Sequence, residues 1–135
     1  MNQRPAMTES EHLARRELLE IVEKMLSGQI SFLDGSYRVY GLRSKLGGVL
    51  DFDEDFMPFV AVVSETDNFP LAPQRHLWDP DALRQLEPEI EKAEMWAKSV
   101  AADACRTLIA RFQTEEADAS KSSTHEVAAK REHDT

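Results

Sequence analysis

The residues best suited to chemistry in this chain are acids that border an apolar run between Gly47 and Gln74. This segment contains no Lys or Arg, and the most apolar run of the chain, residues 56–63, lies inside it. Carboxylates around apolar side chains can belong to an active site, to the rim of a partner-binding surface or to the caps of a core helix. The six acids are Asp51, Asp53, Glu54, Asp55, Glu65 and Asp67.

The first of these acids alternate along the chain, as the ligands at the start of a calcium-binding EF-hand loop do. With Asp51 at the first position, Phe56 replaces the glycine of the sixth position and Val62 replaces the glutamate of the twelfth. Both replacements remove features on which calcium selectivity depends. We therefore expect a solvated acidic loop that caps the next helix.

A second set of acids, Glu87, Glu91 and Glu94, has the spacing of one helical face. Carboxylate-bridged metal sites in helical bundles pair such glutamates with a histidine three residues later, and none follows here. The sequence therefore predicts no metal site and no cofactor, and these acids are expected to form a solvated face.

The polar residues that follow the apolar run form the best candidate for a site. Glu65 and Asp67 precede a proline-containing loop, which leads to Arg75, His76 and Trp78. Trp and Arg dominate the energetics of protein interfaces, so these residues can form a partner-binding patch. Two alternatives stay open: a structural clamp in which a carboxylate binds Arg75, and acid–base catalysis by His76 with a carboxylate.

No recognisable catalytic motif occurs in the sequence. Phosphate-binding glycine loops, the Gly-x-Ser-x-Gly nucleophile motif and the His-Glu-x-x-His zinc motif are absent. Cys105, the only cysteine, lies in a helical pattern without a nearby histidine, so we expect it to be a buried apolar residue. These observations favour a non-enzymatic protein.

Charge and composition limit the partners that the chain can bind. The formal net charge is −9 and the isoelectric point is about 4.9. Nucleic acids and anionic membranes are bound by clustered Lys and Arg, so we do not expect this acidic chain to bind either of them. A basic protein is the expected partner. No apolar stretch approaches the roughly 20 residues of a membrane-spanning helix, and the expected location is the cytoplasm.

Apolar residues spaced three and four apart predict that most of the chain is helical. Thr8 or Ser10 can cap the first helix, which ends before Gly28 and carries Arg15 on its outer side. A second helix is favoured over residues 30–46, because the apolar spacing persists there for over four turns.

Two segments also have features of strands. Residues 37–42 and 59–63 contain β-branched and aromatic side chains, so an α+β fold with short strands there is the alternative. In the favoured helical interpretation, Gly41 would let a neighbouring helix approach closely. The face predicted for the apolar run consists of Phe56, Phe59, Val60 and Val63.

The clearest periodic pattern predicts a long helix that Asp79 caps and that continues to about Gln113. Its alanines indicate tight helix–helix packing, and packing against a second copy is one alternative. Residues 114–135 carry six acids, three bases and one large aliphatic side chain, which is typical of disorder. The sequence thus predicts an all-α fold: a flexible leader over 1–8, a compact bundle of four or five helices over 9–113, and a disordered C-terminal tail over 114–135.

Several short segments of the chain resemble a pattern in small, uncharacterised bacterial proteins. These segments are Leu26–Gly35, Ser64–Pro70, Arg75-x-x-Trp78 and Ala104–Cys105. The resemblance covers residues 12–113 and implies a bacterial source and an all-α domain, with no activity attached. Some small acidic bacterial proteins of this kind are immunity proteins that neutralise a partner toxin.

The sequence therefore favours a non-enzymatic protein-binding module of bacterial type, such as an immunity or inhibitor protein for a basic partner. One alternative is a small ligand-binding domain or enzyme that uses Glu65, Asp67, Arg75 and His76, and another is a homo-oligomer of unknown function. In the favoured hypothesis the acids steer the partner, while Phe56 and Trp78 anchor it. The residues predicted to contact the partner are Asp51, Asp53, Glu54, Asp55, Phe56, Glu65, Asp67, Arg75 and Trp78.

Overall fold

A computed structural model describes the backbone of residues 7–134 and the side chains of residues 7–71 and 74–115. Its α-helices are α1 (Glu9–Ser27), α2 (Phe32–Leu42), α3 (Met57–Thr66) and α4 (Pro80–Asp134), with short 3-10 turns at Arg43–Lys45, Glu54–Phe56 and Ala72–Leu77. No strand forms within residues 7–134. The all-α prediction is confirmed, and the alternative with strands at 37–42 and 59–63 is wrong.

Helix α1 begins and ends at signals that lie within its own sequence. The Thr8 hydroxyl accepts a hydrogen bond from the Glu11 amide (3.1 Å), and the Glu11 carboxylate accepts one from the Thr8 amide (3.0 Å). This reciprocal capping box satisfies two amides that the first turn leaves without helical partners. At the other end Gly28 adopts a positive φ of 84°, a left-handed conformation that strongly favours glycine.

One charged residue of α1 lies on the side of the helix opposite to the side that was predicted for it. The apolar stripe of Ala14, Leu18, Ile21 and Met25 is buried, as expected. Arg15 is also buried, with 5% of its surface exposed, so its assignment to the outer side is wrong. The physical reason is that the guanidinium finds hydrogen-bond partners inside the bundle.

Helix α2 packs against α1 through a glycine other than the predicted one. A Cβ on Gly35 would overlap the fully buried side chain of Met25, whereas a Cβ on Gly41 would meet no atom within 4 Å. Close approach of the two helices therefore depends on Gly35, and the prediction for Gly41 is wrong. The helix itself starts after Ser31, whose hydroxyl accepts a hydrogen bond from the Asp34 amide (3.0 Å).

Helix α3 follows a capped 3-10 turn, has no side-chain cap of its own, and buries a face that differs from the predicted one. Asp53 caps the preceding turn by accepting a hydrogen bond from the Asp55 amide (3.1 Å). Phe59 and Val62 are fully buried, whereas Val60 and Val63 are half-buried. The buried residues of the α-helix are Phe59, Val62 and Thr66, so the predicted face of Phe56, Phe59, Val60 and Val63 is wrong at its last two positions.

Helix α4 contributes one long face to the core. The Asp79 carboxylate accepts a hydrogen bond from the Ala82 amide (3.2 Å) at the start of the helix, as predicted. Buried residues of all four helices form one apolar cluster. The α4 side chains in this cluster are Ala97, Ala101, Ala104, Cys105, Leu108 and Phe112.

Two expectations concern the ends of the chain. The tail predicted to be disordered, 114–135, falls outside the described side chains from residue 116 onward, and most of the leader predicted over 1–8 falls outside the described residues. The alanine face of α4 is covered by the other helices of the same chain. It therefore does not offer the self-packing surface that the homo-oligomer alternative assigned to it.

Alanine substitutions at the two glycines of α2 test this packing. We expect Gly35→Ala to lower the free energy of unfolding by about 1–2 kcal/mol. The overlap of the added methyl group with Met25 costs more free energy than the higher helix propensity of alanine gains. Gly41→Ala is the matched control and should raise the free energy of unfolding by up to about 1 kcal/mol. Urea denaturation measures both values, and a stabilised Gly35→Ala variant would contradict the packing.

Candidate functional site

Three arginines hold the loop that contains most of the predicted acidic rim. The first, Arg111 of α4, donates from Nη1 to both carboxylate oxygens of Asp53 (2.9 Å each) and to Asp55 (3.0 Å). Burial lowers the pKa of Arg111, but its hydrogen bonds to Asp53 and Asp55 and the charges of Asp53 and Glu115 raise it more, so its pKa lies above the usual value. Asp53 and Asp55 are thus neutralised within the chain.

The second arginine is the buried Arg15. Its Nε donates to the carbonyl of Leu46 (2.8 Å), its Nη2 donates to the carbonyl of Gly47 (2.6 Å), and its Nη1 forms an ion pair with Glu115. The planar guanidinium suits this arrangement because its donors point along fixed directions in one plane. Arg15 therefore joins α1 to the start of the loop and to α4.

The third arginine, Arg43, donates from Nη1 to the carbonyl of Asp51 (3.2 Å), and its guanidinium lies 4.7 Å from the centre of the Tyr40 ring. With Arg15 and Arg111 it restrains residues 46–55, which we call the arginine-held loop. Attachment at three points reduces the number of conformations available to the loop.

Phe56, a predicted anchor for a partner, belongs to the core. It is fully buried, and its ring meets Phe112 edge to face with ring centres 6.1 Å apart. The guanidinium of Arg111 lies 6.0 Å from the centre of the Phe56 ring and 5.0 Å from that of Phe112. In this fold Phe56 packs in the core beside Arg111, which binds the arginine-held loop. Because it is fully buried, Phe56 cannot contact a partner.

The arginine-held loop instead exposes two large apolar side chains that were not predicted as contacts. Leu50 is 77% exposed and Phe52 is 85% exposed. Asp51 and Glu54 are exposed beside them, and Asp51 lines a surface pocket of about 300 Å³ together with Tyr40 and Leu50. The alternation of Leu50 and Phe52 with acids was visible in the sequence, but only tertiary structure decides which side of a loop faces the solvent.

The acidic excess of the molecule lies elsewhere. Residues 65–94 hold eight acids and three bases, a net charge of −5 out of the total of −9. Glu65, Asp67, Glu87 and Glu91 are exposed within this stretch, which comprises the end of α3, the turn at Ala72–Leu77 and the first turns of α4. This stretch is therefore the main candidate for electrostatic attraction of a basic partner.

Exposed apolar side chains accompany these acids. Leu77 is 75% exposed, Met95 is 74% exposed, and Trp78 is 39% exposed. Met95 lines a shallow pocket of about 470 Å³ that lies between α2, α4 and the turn before α4. The described side chains that line it are Ser31, Leu33, Arg75, Ile90, Glu91, Glu94 and Met95. We call residues 65–95 with this pocket the acidic–apolar surface.

Glu94 serves a structural role at the edge of this pocket. Its two carboxylate oxygens accept hydrogen bonds from the amides of Phe32 (2.7 Å) and Leu33 (3.0 Å). These amides belong to the first turn of α2, where a negative charge is favourable. Among the described residues no group of three or more His, Cys, Asp or Glu side chains has the geometry of a metal site.

The four residues of the catalytic alternative are not joined by contacts. Arg75 is half-buried and donates from Nε to the carbonyl of Pro70 (3.3 Å), and it lines the pocket beside α4. His76, Glu65 and Asp67 are exposed, and no hydrogen bond or ion pair connects them to one another within the described side chains. The clamp between Arg75 and a carboxylate is therefore not formed, and His76 is not paired with Glu65 or Asp67.

Cys105 has the environment of a structural thiol. It is fully buried, with its Sγ 3.9 Å from the Sδ of Met25. Burial raises the pKa of its thiol to about 12, against a smaller lowering by the charge of Arg106. A thiol needs its ionised form to act as a nucleophile, so Cys105 is unsuited to that role.

No protein-family model, curated protein sequence or solved structure matches this chain. The likeness to small bacterial proteins therefore stays a prediction, and the function has to be argued from the geometry of the molecule. None of the helices, as far as the structure describes them, combines the length and the apolar character that crossing a membrane requires.

Replacing Arg111 tests the attachment of the arginine-held loop. We expect Arg111→Met to lower the free energy of unfolding by about 1–3 kcal/mol, because the carboxylates of Asp53 and Asp55 lose their charged donor. Amides of residues 50–56 should also exchange hydrogen faster. The matched control is Arg106→Met, which removes an exposed ion pair with Asp103 on the same helix and should cost at most about 0.5 kcal/mol. Equal losses in both variants would refute the proposed attachment.

The raised pKa of Cys105 predicts slow reaction with thiol reagents. At pH 8 the folded protein should react with a disulfide reagent on the order of 10³-fold more slowly than a free cysteine, because the thiolate is depleted at any pH well below the raised pKa. Unfolding in urea should restore the rate of a free thiol. Rapid labelling of the folded protein would show that the thiol is ionised or accessible.

Proposed function

We propose that this protein is a protein-binding module that uses the acidic–apolar surface to bind a basic partner. The observation that carries the proposal is the coincidence of two features on residues 65–95. This stretch has a net charge of −5 over residues 65–94, and it exposes Leu77, Trp78 and Met95, the last of which lines a pocket. Interfaces commonly combine an apolar centre with a polar rim, and the exposed acids supply the rim.

Each feature has a separate physical role in such binding. The exposed carboxylates raise the rate at which a basic partner arrives, because oppositely charged surfaces attract one another before contact. Trp78 and Met95 then supply apolar area that becomes buried, and tryptophan is enriched among residues that dominate binding energy. The pocket between Ile90 and Met95 offers a site for an apolar side chain of the partner.

This proposal keeps part of the predicted contact set and replaces another part. Glu65, Asp67, Arg75 and Trp78 stay in it, since they lie on the acidic–apolar surface. Asp53, Asp55 and Phe56 are left out, since the aspartates bind Arg111 and Phe56 is buried. An inhibitor or immunity protein, which neutralises a basic partner by covering it, is one class that would use such a surface.

Selection from a displayed peptide library tests the proposal, because the selected sequences reveal the chemistry that the surface binds. We expect the full-length protein to enrich peptides that combine Lys or Arg with large apolar residues. These peptides should bind Glu87→Lys/Glu91→Lys at least about tenfold more slowly at low salt, with a weaker dependence on salt, because the variant removes the attraction. Association rates measured at two salt concentrations give the comparison.

The matched control is Glu17→Lys/Glu23→Lys, which makes the same charge change at two exposed positions of α1. It should bind the selected peptides at a rate within about twofold of the unaltered protein, since most long-range attraction is screened beyond about 10 Å at ordinary salt. Equal slowing by both variants would indicate an effect of total charge alone. Selected peptides that lack basic residues would contradict the proposal.

A further inference from the structure

The arginine-held loop carries apolar side chains that its own chain does not cover. Leu50 and Phe52 are among the most exposed large apolar residues of the described chain. A flexible loop would bury such side chains by collapsing onto the molecule, but contacts from Arg15, Arg43 and Arg111 hold this loop in place. Holding apolar groups in water has a free-energy cost that contact with another molecule would remove.

A pocket suited to such a side chain lies beside the loop. It has a volume of about 300 Å³, at the lower end of the range for binding pockets, and the described residues that line it include Tyr40, Gly41, Val49 and Leu50. Gly41 leaves the pocket open, because a Cβ there would meet no atom within 4 Å. The guanidinium of Arg43 lies over the Tyr40 ring and forms part of the wall.

The charges around this pocket have both signs. Arg43 and Asp51, which have opposite charges, both line the pocket. The exposed Lys45 lies close to Arg43 in the sequence, and the exposed Glu54 lies close to Asp51. A surface with both signs can face a second copy of itself, because each cation can approach an anion of the other copy. The acidic–apolar surface lacks this property, since two copies with a net charge of −5 would repel each other.

We propose that two copies of this protein associate through the arginine-held loop, with Phe52 of each copy inserted into the pocket at Gly41 of the other. Phe52 directly follows Leu50 and Asp51, which line that pocket, so the ring to be inserted and the pocket that receives it lie side by side on one surface. A two-fold rotation can then satisfy both insertions at once, which closes the assembly at two copies. This inference is independent of the proposed function, because the dimer does not use residues 65–95.

The size of the contact sets the expected strength. One loop and one small pocket on each copy bury less surface than a standard interface of about 1,600 Å². The restrained loop lowers the ordering cost of association, but the small area implies a dissociation constant on the order of 10–500 µM. The dimer should therefore appear and disappear within concentrations that sedimentation can reach.

Sedimentation of the full-length protein from about 5 µM to 1 mM tests the proposal. We expect a monomer–dimer equilibrium for the unaltered protein. Phe52→Ser removes the ring that would be inserted, and Phe52 forms no part of the core. Gly41→Met fills the pocket with a side chain that α2 can accommodate. Each variant should weaken dimerisation at least tenfold while its circular dichroism stays unchanged.

The control is Leu77→Ser, which removes a similarly exposed apolar side chain from the acidic–apolar surface and should leave the dimer intact. A monomer at all concentrations would overturn the proposal. A dimer that survives Gly41→Met would overturn it as well, since the pocket is then not occupied. If Leu77→Ser were the only variant to abolish the dimer, the contact would lie on the acidic–apolar surface, and the proposed contact through the arginine-held loop would be refuted.

Discussion

The buried guanidinium of Arg15 is the contact on which the arrangement of the bundle depends. A buried charge without partners is strongly destabilising, so α1 can hold Arg15 inside only when its donors are satisfied. The partners come from the loop, through Leu46 and Gly47, and from α4, through Glu115. The buried charge therefore couples the positions of three segments that are distant in sequence, and Arg111 extends the same network to Asp53 and Asp55.

Features set by neighbouring residues were predictable from the sequence. The cap at Thr8, the stop at Gly28 and the cap at Asp79 follow from side chains that bind amides a few residues away. The buried position of Arg15 was also encoded, because it is spaced three and seven residues from the buried Leu18 and Val22, although its charge suggested the outer side.

Features set by distant residues were not predictable in this way. The pairing of Arg111 with Asp53 joins residues separated by 58 positions, and no local pattern distinguishes these acids from the exposed Asp51 and Glu54. The same holds for the apolar residues: Phe56 is in the core and Phe52 in the solvent, although both stand among the same acids. The character of the 51–55 segment therefore became clear only from its partners.

The cap that Glu94 provides for α2 has a consequence for the order in which the molecule folds. Helix α1 is capped by residues three positions apart, so its first turn can form before any tertiary contact. Helix α2 contains two glycines, and besides its local cap at Ser31 it receives a carboxylate from 62 positions away, so its first turn gains further stability when α4 docks. The wall that Leu33 gives to the acidic–apolar surface is therefore fixed in place when Glu94 of α4 binds the start of α2. A nascent chain still lacking α4 would lack Ile90, Glu94 and Met95, so the pocket of the acidic–apolar surface exists only once α4 has been made and has docked.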